Sequence, residues 1–491
     1  MSTHLPILQV LVPLLAAPVL ALLRGRTLSY LVATGFVVVA FLIAIGLTIQ
    51  VVHTGAVSYA IGNWAPPLGI EYRIDELTVI MLLMVTGIAS AVLIGGGQSI
   101  AVEIPERRAP LFFALFCLNV AGLIGMTVTG DVFNLFVFLE ISSLSTYALV
   151  AMGRDRRALT AAYQYLVIGT VGATFYVIGV GLLYMMTGTL NMADLTARVS
   201  GVESTLTIKT ALAFLFIGLG VKLGMMPVHF WLPNAYAQAP STVSAFLAGT
   251  ATKVAVYVML RIVFGIFGIG IFTSSYLADV VIALGIFAMV AASVSAIFQS
   301  DAKRLLAYSS LAQIGYILFA LGLATEAGLT AAILHLFNHG LMKATLFLAL
   351  TAVALRLGRT RLEDFDGLAQ AMPATMLAFA VAALSLVGVP LTIGFVSKWY
   401  LLAAAFDRDG VLVAAVILGS SLLALLYLWP LVERAYFRKR PAGAPEIEEA
   451  PLALILAMWA LVAVNVFLGV NSQFTVNLAA NAARHLIGAV P

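Results

Sequence analysis

One cysteine, Cys117, stands in a chain of 491 residues. A disulfide framework, an iron–sulfur cluster and a multi-cysteine zinc site are therefore all excluded. Charge is scarce too. Charged residues make up 10% of the chain, against roughly 25% in a soluble domain. The longest polar runs, 66–76, 189–209 and 434–451, are too short for a soluble domain and read as loops, the last a flexible solvated one. No paired-glycine nucleotide fingerprint follows a strand, so no cofactor is expected. The net charge of +4 is spread over many short loops, which does not make a nucleic-acid surface.

What is present is apolar sequence, 62% of the chain. That much exceeds what a soluble core needs, so side chains must face lipid. A spanning helix takes about 20 apolar residues. The chain offers about fourteen, near 5–23, 31–52, 77–96, 111–128, 132–152, 161–186, 208–227, 243–264, 277–298, 305–323, 329–355, 372–406, 411–436 and 452–470. The expected fold is an all-α polytopic membrane protein, a single membrane domain over residues 1–491. Helix 7 runs into Gly224, Pro227 and Pro233, and helix 12 contains Gly388-Val389-Pro390. Proline removes a donor and clashes with the preceding turn, so both helices should break. Broken backbone in a membrane must be buried or line a wet cavity. Paired interruptions in two halves of a chain point to a transport site.

Basic residues set the expected orientation. One set of alternate loops holds sixteen: Arg24, Arg26, Arg107, Arg108, Arg154, Arg156, Arg157, Lys303, Arg304, Arg356, Arg359, Arg361, Arg434, Arg438, Lys439 and Arg440. The other holds six: Arg73, Arg198, Lys209, Arg261, Arg408 and Arg484. The positive-inside rule puts the first set in the cytoplasm and both termini outside. The first apolar stretch has its arginines after it rather than before it, so it reads as a retained helix and not a cleaved signal.

Five charges remain inside apolar runs: Glu140, Lys222, Lys253, Lys343 and Lys398. Each costs at least roughly 2.5–3.5 kcal/mol at mid-bilayer, which makes an ion or proton path the default reading. Glu140, in helix 5, is the sole acid at membrane depth. Lys222 lies just before the break in helix 7. Within a few ångströms, each would stabilise the other's charged form. Withdrawing the carboxylate would then release the lysine's proton. An inert structural ion pair, or two unrelated buried groups, is the competing account. In helix 11, His335, His339 and Lys343 stand at i, i+4 and i+8 and form one stripe. Two histidines at that spacing can bind zinc. The glutamate of the zinc motif is missing, however, and Lys343 would set a cation beside the metal. A proton relay, since histidine titrates near neutral pH, and a packing role are the other readings. Ser241, Thr242, Ser244, Thr250 and Thr252 could extend a hydrated route to Lys253. Lys398 stands past the break in helix 12.

The segments Gly130–Glu140, Lys222–Pro233, Ala239–Ala245 and His335–Lys343 resemble the antiporter-like subunits of respiratory complex I and of Mrp-type Na+/H+ antiporters. The resemblance covers nearly the whole chain, and the wording around Asp131–Glu140 is most similar to the D-type branch of the Mrp subunits. Other branches carry glutamate at the position of Lys398 or add a long lateral helix. The resemblance implies two inverted five-helix repeats, helices 4–8 over 109–264 and helices 9–13 over 276–436, each with one broken helix. It implies a Glu140–Lys222 pair, a central Lys253 and a terminal Lys398. It further implies a prokaryotic plasma (inner) membrane location, partner membrane subunits in a hetero-oligomer, H+ and Na+ as the ions, and no cofactor or metal. Three functions compete: the proton-conducting subunit of an antiporter, the same machine driven by redox chemistry in a complex I or hydrogenase assembly, and a non-conducting scaffold.

Overall fold

Apolar runs with no water to bond their backbone must fold as helices, which satisfy every interior N–H and C=O within the segment. The computed structural model describes residues 4–407, 410–441 and 446–488 and is built this way; Arg408 lies outside the described residues. Eleven crossings are single helices: helix 1 Leu5–Leu22, helix 2 Arg26–Thr54, helix 3 Glu76–Glu103, helix 4 Ala109–Val128, helix 5 Val132–Ala151, helix 6 Arg157–Thr187, helix 9 Leu277–Ile297, helix 10 Ala302–Gly322, helix 11 Glu326–Leu357, helix 13 Val411–Phe437 and helix 14 Leu452–Val470. Helix 7 comes in two pieces, Leu206–Leu223 and Trp231–Gln238, and helix 12 in two, Pro373–Val387 and Ile393–Phe406. The protein is an all-α polytopic membrane protein. Among the described residues thirteen segments are long and apolar enough to span, and the halves of helix 12 make the fourteenth crossing. Outward faces stay apolar, as at Leu31 and Leu422. The interior is built on helices 3, 4, 10 and 11. Helix 10 is the most enclosed, with 94% of its most apolar stretch buried.

Both expected breaks are present. Each first half ends on a left-handed glycine, Gly224 (φ 76°) and Gly388 (φ 99°). Glycine populates that region without a Cβ clash, and it is the common helix terminator. Pro227 and Pro390 lie in the gaps that follow. Pro233 does not break anything: it is the third residue of the half-helix Trp231–Gln238. The first four N–H groups of a helix have no intrahelical partner, so proline there removes nothing. A third break carries no proline to announce it. Helix 8 is divided into Ser241–Gly249 and Ala251–Leu260 at Thr250 (φ −126°, ψ −59°), then continues through a π-helical turn, Arg261–Phe267, to Gly268–Ser274.

Further elements lie between and after the crossings. Strands β1 Val57–Ala60 and β2 Glu71–Ile74 pair antiparallel. A short helix spans Met192–Val199, and an amphipathic helix, Gln473–Leu486, buries Val476, Ala479 and Ala483 after helix 14, against helices 3 and 11. Such short segments carry too little periodicity to be separated from loops by composition.

Two backbone clips repeat at one sequence offset. The turn before helix 5 pairs with the turn after helix 6, Asp131 facing Asn191, through Val132 N to Leu190 O (2.9 Å) and Met192 N to Gly130 O (2.8 Å). The turn before helix 10 pairs likewise with that after helix 11, Asp301 facing Arg361, through Ala302 N to Thr360 O (2.8 Å) and Leu362 N to Ser300 O (2.9 Å). Both aspartates cap the following helix. Five crossings separate the clips, so they lie on opposite faces.

On the face of the first clip, Asp75 caps helix 3 by accepting from Thr78 N (3.0 Å) and pairs with Arg261. Burial pushes the Asp75 carboxyl up, but the Arg261 guanidinium and the Thr78 donors outweigh it and hold it at about 2. A depressed carboxylate contributes its stability above its unfolded value of about 3.9, and loses it as pH falls through about 2. The pair is therefore fully formed at neutral pH. Asp75→Ala leaves a largely buried guanidinium unpaired and should cost about 3–5 kcal/mol, read as a lower melting temperature in detergent at pH 7. An unchanged melting temperature would show that Arg261 is solvated without its partner.

Candidate functional site

The four lysines are 0–7% exposed, and none forms an ion pair with a carboxylate among the described residues. Each is held by neutral dipoles. Lys222, penultimate in the first half of helix 7, donates to Ser143 Oγ (2.6 Å) and Tyr147 OH (3.2 Å) of helix 5 and sits 5.7 Å from the Tyr147 ring centroid. Glu140 lies on the same helix, one turn before Ser143. It is half-buried on this chain, and its Oε1 has no hydrogen-bond partner. Among the described residues no direct Glu140–Lys222 ion pair is found; the ammonium is bound instead one turn further along helix 5, by Ser143 and Tyr147. Behind Lys222, Trp231 Nε1 donates to the Val221 carbonyl (2.9 Å), which also accepts from Gly224 N (3.2 Å), and its ring stacks on Tyr165 at 3.8 Å.

Lys253 follows the break in helix 8. Its ammonium donates to the Ala248 carbonyl and to Thr252 Oγ1 (3.3 Å). Lys398, past the break in helix 12, donates to the Leu386 (3.0 Å) and Val387 (2.8 Å) carbonyls and to Ser421 Oγ (3.0 Å), 5.0 Å from the Tyr316 ring centroid. Both lysines thus occupy the same niche. The last carbonyls of a helix have no intrahelical donor, and they form the negative end of its dipole. An ammonium placed there is stabilised without a counter-ion.

The histidine stripe is only partly kept. His335 and His339 stack with ring centroids 6.0 Å apart and planes 9° apart. His335 Nδ1 meets Ser397 Oγ (2.9 Å) and its Nε2 meets Gln313 Oε1 (2.9 Å). Both His339 nitrogens are buried without a hydrogen-bonding group among the described residues. Lys343 leaves the stripe and turns to helix 10, donating to the Leu306 carbonyl (2.8 Å) and to Ser309 Oγ. From His335 the groups continue to Lys398. Ser397 precedes it in sequence, and Tyr316, 5.7 Å ring to ring from His335, reaches Ser421 Oγ (3.3 Å), which Lys398 also holds. No hydrogen bond joins Lys222 to Lys253, or Lys253 to His339, among the described residues.

Several residues of this site are not singled out by the sequence: Ser143, Tyr147, Ser309, Gln313, Tyr316, Ser397 and Ser421. A signal is there for some of them. Glu140, Ser143 and Tyr147 share a face at helical spacing, as do Gln313 and Tyr316. Of the hydroxyls expected to extend the route, Thr252 touches Lys253. Thr250 and Ser244 instead bond backbone carbonyls, Phe246 O (2.7 Å) and Tyr236 O (2.7 Å).

A sequence profile described as NADH:quinone oxidoreductase/Mrp antiporter, transmembrane, matches residues 129–424. The chain is 40% identical over 459 residues to the N-type subunit of the NADH-quinone oxidoreductase of Desulforudis audaxviator, covering 91% of this chain and 89% of that one. It is 31% identical over 471 residues to the D-type subunit of the Na(+)/H(+) antiporter of Alkalihalophilus pseudofirmus, covering 96% and 94%. Among solved structures, a chain of the Mrp complex from Dietzia sp. DQ12-45-1b superposes with a TM-score of 0.90 at 28% identity, covering 100% of this chain and 98% of that one.

Trp231→Phe keeps the stacking ring but removes one of the two donors to the Val221 carbonyl, leaving Gly224 N. It should destabilise the protein by about 0.5–1.5 kcal/mol, read by thermal unfolding in detergent. No loss would mean that the Gly224 donor alone satisfies the carbonyl.

Proposed function

This chain belongs to the NADH:quinone oxidoreductase/Mrp antiporter family, and on that premise we propose that it is the proton-translocating, D-type subunit of a multisubunit Na+/H+ antiporter. The observation that carries this reading is the set of four buried lysines with no carboxylate partner. Three of them are placed at helix breaks, and His335, Ser397, Tyr316 and Ser421 lead to the last. A lysine changes protonation readily when its surroundings change, and these surroundings are neutral dipoles rather than fixed charges. The two backbone clips support two inverted repeats, helices 4–8 and helices 9–13. In this scheme Glu140 acts on Lys222 across Ser143. A proton released there passes Lys253, then His339 and His335, and leaves through Lys398, with Lys343 joining from helix 10.

The arginine-rich face is cytoplasmic in this proposal, both termini are outside, and the membrane is the prokaryotic plasma membrane. Partner membrane subunits complete the complex. Glu140 beside a lysine makes a poor sodium cage, since hard cations want several oxygen ligands; the sodium site is placed in another subunit.

A second reading has its own support. The 40% identity to a component of an NADH-quinone oxidoreductase favours a redox-driven pump with the same local physics. Vesicles bearing the intact complex separate the two. An imposed Na+ gradient alone drives proton flux in the first, whereas the second requires electron transfer.

Lys222→Ala and Glu140→Ala should each abolish Na+-dependent dissipation of a pH gradient in such vesicles while assembly persists; normal dissipation in both variants would sink the scheme. Lys398→Ala should block the same activity, and unimpaired exchange there would move the outlet elsewhere.

A further inference from the structure

A cavity of about 800 Å³ opens on the arginine-rich face, where helices 3, 8 and 10 begin or end beside the second clip. Its floor is a hydrogen-bonded chain. Lys303 Nζ donates to Ser241 Oγ (2.9 Å). Ser241 N donates to Glu103 Oε2 (2.8 Å), and Ser99 Oγ donates to Glu103 Oε1 (3.0 Å). The sequence neighbours of Lys303 suggest a loop, yet it is only 8% exposed. It is the second residue of helix 10.

Helix 10 carries the line inward. Leu306, whose carbonyl holds Lys343, is one turn past Lys303, about 4.5 Å along the axis. Ser309 also holds Lys343, Gln313 holds His335, and Tyr316 lies beneath Lys398. From Lys303 to Tyr316 the rise is about 20 Å. The most enclosed helix of the protein thus runs from a cavity large enough for many waters to the exit lysine. Along it, groups that hold relay residues recur every three or four positions. This also explains why Lys343 leaves the histidine stripe.

We propose that this cavity is a proton inlet from the arginine-rich face, with Lys303 passing protons to Lys343; the inference rests on the proton-translocation reading above. The ammonium of Lys303 gives a proton to the neutral amine of Lys343, through water or a hydroxyl group, and keeps the bonding electron pair. Lys303 is then reprotonated from cavity water, with Glu103 as the acceptor that draws protons to the floor. A metal cation is not the cargo here. At the floor one carboxylate, Glu103, sits beside an ammonium. The other lining carboxylates are taken, Asp155 by Arg157, Glu363 by Arg361 and Asp301 by Arg304 N and Thr360 Oγ1. This is not the several-oxygen cage that sodium-like or divalent ions need. The rim arginines are largely neutralised locally, Arg157 by Asp155 (2.6 Å), Arg361 by Glu363 (3.4 Å) and Arg434 by Asp366 (2.9 Å).

The test uses the assembled complex in sealed vesicles. The single native cysteine, Cys117, is fully buried, so Ser300→Cys in the cavity wall gives a clean reporter. A bulky, membrane-impermeant thiol reagent should label it from the arginine-rich side only and slow Na+-driven proton flux about threefold or more. Full labelling with unchanged flux overturns the inlet. Lys303→Ala should lower the flux about tenfold or more, within the range for lost proton-transfer groups. Methylamine added on the arginine-rich side should restore part of it, which a purely structural defect would not allow. Loss without rescue in an assembled complex, or no loss, overturns the role of Lys303. Absence of Na+-driven flux in the unmodified complex would instead count against antiport itself. Labelling would still report the cavity, and the same variants would be read with electron transfer as the driver.

Discussion

An ammonium buried without a counter-ion must be held by dipoles, and at Lys253 and Lys398 the dipoles come from broken helices. Ala248, Leu386 and Val387 offer carbonyls that an intact helix would have consumed, and Lys253 and Lys398 take them. The break is therefore not a defect tolerated beside the charge but the condition for having the charge there. A carboxylate in the same place would bind the ammonium more tightly and hold its proton. Carbonyls and hydroxyls stabilise it without fixing it, which in the proposed scheme leaves the protonation state free to respond to a neighbouring charge.

The rest of the architecture serves that arrangement. Left-handed Gly224 and Gly388 end the half-helices, and Trp231 joins Gly224 in donating to the Val221 carbonyl. The two clips, with their capping aspartates, fix helices 5 and 10 against the turns that follow helices 6 and 11 on opposite faces. Helix 5 then presents Ser143 and Tyr147 to Lys222, and helix 10 presents Leu306, Ser309 and Gln313 to Lys343 and His335. Enclosed over nearly all its length, helix 10 has little lipid-facing surface to satisfy and can carry polar groups from end to end.

Much of this is legible in the sequence. Long apolar runs have few other ways to satisfy their backbone in lipid, so the fourteen crossings and the two glycine–proline breaks can be read directly. The break at Thr250 cannot, because no proline marks it and Gly249-Thr250 is ordinary helix sequence. Nor can the detail of the charges. Spacing assigns Lys343 to a face of helix 11, but its long stem reaches a different helix. Glu140 and Lys222 match as the acid and base nearest in depth, whereas a serine one turn along helix 5 takes the ammonium. Lys303 reads as loop because it stands in the charged run Asp301-Ala302-Lys303-Arg304. These outcomes depend on which turn of one helix faces another, and that is set by packing rather than by composition.

The central claim is that separate buried groups form one path across the middle of the protein, and His339 is where the path depends most on a single side chain. It stacks on His335, lies between Lys253 and the exit branch in the proposed order, and bonds no group among the described residues. The direct measurement is Na+-driven proton flux, followed with a pH-sensitive dye, in vesicles carrying the intact complex with His339→Leu. The account predicts a fall of about tenfold or more with the complex fully assembled. Flux at the unmodified rate would contradict it, because protons would then cross without passing the centre of the chain.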